Sequence, residues 1–203
     1  MNHDETYMNL AILQARHAFE AGEVPIGAVV VCDGEVVAEG YNRRETDHDP
    51  SAHAEFSAIC QAAQELERWR LPDCTVYVTL EPCIMCAGLM HQARIGRCVY
   101  GAPDPKAGAL GTLYSIHEDE RLNHNFEVTS GVLEDECAQL LRDFFKMRRK
   151  QQKEAKKAAR EAQTLCSDRA AAKALLDTAS TDQTMNSSIR YEQGIQPDSI
   201  EKE

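Results

Sequence analysis

His53-Ala54-Glu55 and, thirty positions further on, Pro82-Cys83-Ile84-Met85-Cys86 supply the residue types of a metal-activated hydrolysis: one imidazole, two thiols and a carboxylic acid. A structural zinc is normally enclosed by four protein ligands, whereas a catalytic one keeps a coordination position for water. With His53, Cys83 and Cys86 as ligands that position stays open, and water at such a site has its pKa brought down to about 7. Glu55 lies two residues from His53 and is not needed to hold the metal, so it is the natural general acid and base.

Neither half of the pattern is decisive alone. An isolated C-x-x-C is also a redox pair or half of a structural zinc knuckle, and an isolated H-x-E says little. Together, H-x-E followed by P-C-x-x-C is the signature of zinc nucleobase deaminases. A closed structural site would need one more ligand, and Cys74 and His91 are near enough in sequence to be candidates. That alternative leaves His53-Ala54-Glu55 unexplained.

The flanking pattern predicts the elements that position these groups. Met8, Ile12, Ala15 and Phe19 recur at helical spacing, and Gly22 ends that helix. Val24 to Cys32 reads as a strand, turned back at Asp33-Gly34 into a second strand from Glu35 to Glu39. Residues 41 to 52 form a polar loop. A helix from His53 is expected to bury Phe56, Ile59, Ala63 and Leu66, which places His53 and Glu55 in its first turn. Cys74 to Leu80 reads as a strand and leads into a helix starting at Pro82 and running to about Arg94. In that helix Cys83 and Cys86 share the first turn, where a helix start favours thiolates. A strand around Arg97 to Gly101, a Gly-rich loop through Gly111, a strand near Glu127 to Val132 and a helix from about Glu134 complete the core. This alternation predicts an α/β fold with a mixed five-stranded sheet covered by helices on both faces, and the site beyond the strand ends.

Composition changes near residue 150. Residues 151 to 203 contain one aromatic, Tyr191, and cannot bury a core of their own. Their first half, through about Leu176, has helix-forming composition, and the remainder reads as disordered. The expected organisation is therefore a zinc-dependent domain at 1–150 followed by a charged helical extension and a disordered tail at 151–203.

Net charge is −11, which argues against a nucleic-acid partner until its distribution is considered. Between Arg142 and Arg160 nine basic residues stand against two acidic ones, a local excess of +7 that leaves −18 for the rest of the chain. A basic helix on an acidic body is the footprint of a phosphate-binding edge, with Arg148 and Arg149 its candidate contacts. A charge run seen alone also describes a solvated helix end. Eight cysteines with no apolar leader fit a reducing cytoplasm, and no segment is long enough to span a membrane, so a cytoplasmic location is expected.

The strings VPIGAVVV, GYNR, HDPSAHAE, YVTLEPCIMCAGLMHQARI, GAPDPKAGALG and LLRDFFKMRRK, spread over residues 5 to 150, resemble the bacterial tRNA-specific adenosine deaminase family of the cytidine-deaminase-like superfamily. The resemblance implies a three-layer α/β/α fold, a homodimer, and conversion of the wobble adenosine in a tRNA anticodon, typically of an arginine tRNA, to inosine. It also implies one zinc ion per subunit on His53, Cys83 and Cys86, with Glu55 moving protons. By the same resemblance Asn42 would hydrogen-bond the flipped base, although alone it reads as a turn residue. Asp104 and Lys106 would contact anticodon nucleotides, although Pro103-Asp104-Pro105 alone is an ordinary proline-rich turn. The chain departs from the family pattern at Pro103, where members often carry a polar or charged residue, and in its long tail. Two rival classes share parts of the signature. A deaminase of free bases or nucleosides needs no basic helix, and a non-enzymatic zinc-stabilised RNA-binding protein needs a closed metal site.

Overall fold

The computed structural model describes residues 3–189, and contacts divide the chain into two units, Met1–Arg148 and Arg149–Glu203. The first unit is built on five strands, β1 (Gly27–Cys32), β2 (Glu35–Tyr41), β3 (Cys74–Leu80), β4 (Arg97–Ala102) and β5 (Glu127–Thr129). Their order is β2-β1-β3-β4-β5. β1 pairs antiparallel with β2 and β3, and the β3–β4 and β4–β5 pairs are parallel, so the sheet is mixed as the sequence predicts. β1 is buried along its whole length, as a strand with neighbours on both edges and helices on both faces must be.

The helices are α1 (His3–Glu20), the short α2 (Arg44–Asp47), α3 (Ala54–Glu65), α4 (Ile84–Ala93) and α5 (Glu134–Ile189). Alternation along the strands sorts them into two layers. Ala28, Val30, Val76, Val78 and Cys98 pack with Ala58 and Ile59 of α3 and Met90 of α4. Val29, Val31, Tyr77 and Val99 pack with Met8, Ala11 and Ile12 of α1 and with Cys137 near the start of α5. The Phe19 and Phe144 rings, 5.6 Å apart, close α1 against the opening of α5. The three-layer α/β/α arrangement follows.

Several local expectations shift. α3 buries Ala54, Glu55, Ala58, Ile59 and Ala62, while Phe56, Ala63 and Leu66 are only half-buried. The reason is a close approach to β2: a Cβ added at Gly40 would lie 2.5 Å from the Ala54 carbonyl oxygen and 3.1 Å from the Ala58 nitrogen. Only alanines fit along that contact, so the helix turns its larger residues to the flank. β1 starts three residues later than expected because Pro25 has no N–H for a ladder and the Ile26 N–H bonds the Val24 carbonyl instead. β5 stops at Thr129, where the chain turns through left-handed Gly131 and Leu133.

The second unit is helical where it is described. α5 runs to Ile189, past the expected end near Leu176, and residues 134–189 contain neither Gly nor Pro to stop it. The rest of the expected disordered tail, 190–203, lies outside the described residues. No helix among the described residues is long and apolar enough to cross a membrane.

Replacing Gly40 by Ala is expected to destabilise the fold by about 1–3 kcal/mol, because the new methyl group meets backbone and not a movable side chain. Urea denaturation measures it, and an unchanged midpoint would show that α3 is not seated by this contact.

Candidate active site

α3 and α4 lie on the same face of the sheet, and their first residues are preceded by the caps His53 and Cys83. Both caps have extended backbone, and neither side chain bonds its own helix. They turn toward each other instead. His53 Nδ1 is 3.8 Å from Cys83 Sγ and 3.5 Å from Cys86 Sγ. The three potential ligand atoms all lie within 4.8 Å of one another. Pro82 thus precedes the α4 cap and is not its first helical residue, and Cys83 and Cys86 stand at the cap and the third position of the helix.

Cys74 and His91, the candidates for a fourth ligand, do not join this group. Cys74 clusters with Cys32 and Asp73, and His91 Nδ1 is 3.1 Å from the His124 carbonyl oxygen. Glu55 is 4 % exposed, and among the described residues its Oε2 has no hydrogen-bond partner. One imidazole and two sulfurs beside an orphaned carboxylate oxygen fit a zinc ion with room left for water.

The thiols are strongly coupled. A hydrogen bond from Cys86 and a further one involving His53 hold Cys83 down to about 3, whereas the bond to Cys83 and burial push Cys86 upward. Cys83 in turn raises His53, and burial raises the Glu55 carboxyl. Two helix N-termini add their partial positive charge to this cluster of sulfur and carboxylate.

A cavity of about 380 Å³ reaches the cluster, a volume ordinary for a small-ligand site. Its lining includes His53, Glu55 and Cys83, the apolar Val24, Ile26 and Leu80, the basic Arg44, and Pro103 through Ala107. Leu141 and Phe145 also line it. Asp104 and Lys106 are thus brought to the same cavity as Glu55. Asn42 is not among the lining residues. It is buried, and its Nδ2 donates to Glu23 Oε2 at 3.2 Å. Arg148 and Arg149 are exposed side chains of α5.

Two further buried carboxylates support the site, and the sequence singles out neither for that part. Glu81 is 2 % exposed and accepts hydrogen bonds from the N–H groups of Asp104, Leu110 and Thr112 and from the Thr112 hydroxyl. Burial pushes its carboxyl up, but these bonds outweigh that and hold it below the usual range. The loop passes so close that a Cβ at Gly108 would fall 2.3 Å from Glu81 Oε2. Glu23 plays the same part nearby, accepting from Asn42 and from the N–H and hydroxyl of Thr46. The only sequence signal for Glu81 is its place in Leu80-Glu81-Pro82-Cys83, and Glu23 has none.

A family model described as MafB19-like deaminase matches residues 1–149. A tRNA-specific adenosine deaminase from Bacillus subtilis is 51 % identical over 157 residues, covering 77 % of this chain and 98 % of that protein. The chain belongs to the bacterial tRNA-specific adenosine deaminase family. A relative of the same description from Haemophilus influenzae is 46 % identical over 151 residues, 74 % of this chain and 87 % of that protein. Among solved structures, one from a study of A-to-I editing by tRNA:A34 deaminases at the wobble position superposes with a TM-score of 0.65 at 46 % identity, covering 67 % of this chain and 99 % of that one. A guanine deaminase from Nitrosomonas europaea shares the fold at TM-score 0.59 and 26 % identity, covering 69 % and 83 % of the two chains. In this tRNA-specific adenosine deaminase family member, Glu81 ties the cavity wall at Asp104 to the following loop at Leu110 and Thr112.

Replacing Glu81 by Ala leaves three backbone donors without their acceptor, at about 1–3 kcal/mol for each one that stays buried. The expected result is a lower thermal midpoint together with faster proteolytic cleavage between 104 and 112. Cleavage at the wild-type rate would show that the loop holds itself.

Proposed function

We propose that this chain is a zinc-dependent hydrolase that converts adenosine to inosine at the wobble position of a tRNA anticodon, that of an arginine tRNA, and releases ammonia. The observation that carries this reading is the buried, unpartnered Oε2 of Glu55, placed in a cavity beside His53, Cys83 and Cys86. Those three residues would hold one zinc ion per subunit, and zinc at such a site supplies an acidified water. Glu55 takes a proton from the attacking water and delivers it to the ring nitrogen next to carbon 6. It then protonates the departing amine, which leaves as ammonia, while the water oxygen remains on carbon 6 of inosine. Burial keeps bulk water from competing for the Glu55 carboxylate.

Adenine stacked inside a helix cannot reach a recessed carboxylate, but a base in an RNA loop can be flipped out for a few kcal/mol. Arg44, Asp104 and Lys106 line the cavity where the flanking nucleotides would pass. Asn42, its amide held by Glu23, is assigned to the flipped base on the family pattern. Arg148 and Arg149 are assigned to tRNA phosphates. We place the deaminase domain at 1–150 and treat 151–203 as an appendage with a helical, charged first part. A homodimer in the cytoplasm completes the reading, and the exposed Ile84, Leu113 and Tyr114 are apolar surface that a second copy could cover.

The guanine deaminase similarity supports a second reading, a deaminase of free bases. Incubation with a tRNA transcript carrying adenosine at the wobble position, alongside free adenine, adenosine and guanine, separates the two. Inosine at the wobble position is expected; ammonia from free bases with no change in the tRNA would establish the rival. In the same assay Glu55→Gln is expected to retain its zinc and lose at least about 100-fold in rate. A zinc-loaded variant of near wild-type rate would remove Glu55 from proton transfer. Neutralising Arg148, Arg149 and Lys150 is expected to weaken tRNA binding and flatten its dependence on salt. An unchanged affinity and salt slope would make that stretch an ordinary solvated helix.

A further inference from the structure

The cluster of Cys32, Asp73 and Cys74 takes no part in the chemistry described above. Cys32 closes β1 and Cys74 opens β3, and the two are direct partners in the antiparallel register. Both thiols are free and buried, and their sulfurs, with an Asp73 carboxylate oxygen, lie within 4.8 Å of one another. The Cys74 N–H donates to the Leu71 carbonyl at 3.1 Å and its carbonyl accepts from the Gly96 N–H at 3.1 Å, so neither group bonds Cys32. That makes the pair a non-hydrogen-bonded one, the class in which Cα atoms come to about 4.5 Å and side chains are closest. This separation falls within the span of a disulfide.

Arg68 distinguishes a redox pair from a metal site. Its guanidinium donates to Asp73 at 2.6 and 2.7 Å and approaches Cys32 Sγ at 3.6 Å, so the cluster already holds a cation against its carboxylate. The Arg68–Asp73 ion pair that flanks the thiols is itself partly exposed, at 38 % and 40 %.

We propose that Cys32 and Cys74 are a thiol–disulfide couple oxidised by hydroperoxides. The Cys32 sulfur, its proton passing to solvent, attacks the peroxide O–O bond, which breaks to leave a sulfenic acid on Cys32 and release hydroxide or an alkoxide, protonated from solvent. The Cys74 sulfur then attacks the Cys32 sulfur, and the S–S bond forms as water leaves. Burial pushes Cys74 up to about 12, so it enters as the resolving thiol and not as the first nucleophile. The product closes a loop over residues 33–73, which contain β2, α2 and α3 and therefore Asn42, His53 and Glu55. A cross-link there restricts the unfolded chain and ties down both ends of the segment that carries half of the active site.

The test uses the full chain loaded with zinc and treated with hydrogen peroxide, then digested with trypsin and chymotrypsin. These cuts place Cys32 on peptide 20–41 and Cys74 on peptide 71–77, apart from Cys83 and Cys86. A cross-linked 20–41/71–77 species that a dithiol reverses is expected, with a thermal midpoint several degrees above that of the reduced protein. Cys32→Ser and Cys74→Ala are each expected to show neither change. Oxidation of the exposed Cys60 with no cross-link at 32 and 74 would overturn the proposal. So would a second bound zinc ion that is lost in Cys32→Ser.

Discussion

Everything at this site depends on two helix starts meeting on one face of a sheet. An imidazole and two thiols thirty residues apart in sequence reach within 4.8 Å because α3 and α4 begin side by side with His53 and Cys83 as their caps. A cap side chain ordinarily bonds its own helix. Here both are turned to each other, and the free N–H groups of two first turns remain to offset the negative charge of sulfur and carboxylate. Close seating of α3 on Gly40 and the burial of Ala54, Ala58 and Ala62 hold the first of these starts in place.

Three buried glutamates show how the same side chain is put to different use. Glu23 and Glu81 are each satisfied on both oxygens, by Asn42 and Thr46 in one case and by the Asp104 to Thr112 loop in the other. Such carboxylates are anchors, because every partner would lose its acceptor if they moved. Glu55 is as deeply buried but keeps Oε2 without a partner. Leaving a buried polar atom unpaired costs about 1–3 kcal/mol, and a fold tolerates that where the atom must remain available for something that enters.

The sequence made the group of His53, Glu55, Cys83 and Cys86 legible because its members follow helical geometry: H-x-E and C-x-x-C each place their residues within a single turn. The sheet was legible for a similar reason, since its strands alternate or run apolar between clear turn residues. The anchors were not. Glu81 finds its partners 23 to 31 residues away, and those partners are backbone N–H groups that any residue but proline could supply. The buried face of α3 was misjudged for a related reason. Hydrophobic periodicity favours Phe56 and Leu66, whereas close approach to a glycine on the neighbouring strand favours small residues. The Cys32–Cys74 pairing likewise depends on a register that joins positions 42 residues apart.

Charge argues for a substrate that carries its own anions. A body with net −18 outside Arg142–Arg160 would repel RNA at a distance, so approach requires basic groups concentrated where contact occurs. Arg44 and Lys106 provide two at the cavity itself. In the proposed mechanism neither polarises a base or moves a proton, work assigned there to Glu55 and to the group of His53, Cys83 and Cys86. Two cations beside that site make sense for a substrate whose reacting base arrives attached to phosphates, and they would be idle toward a free purine.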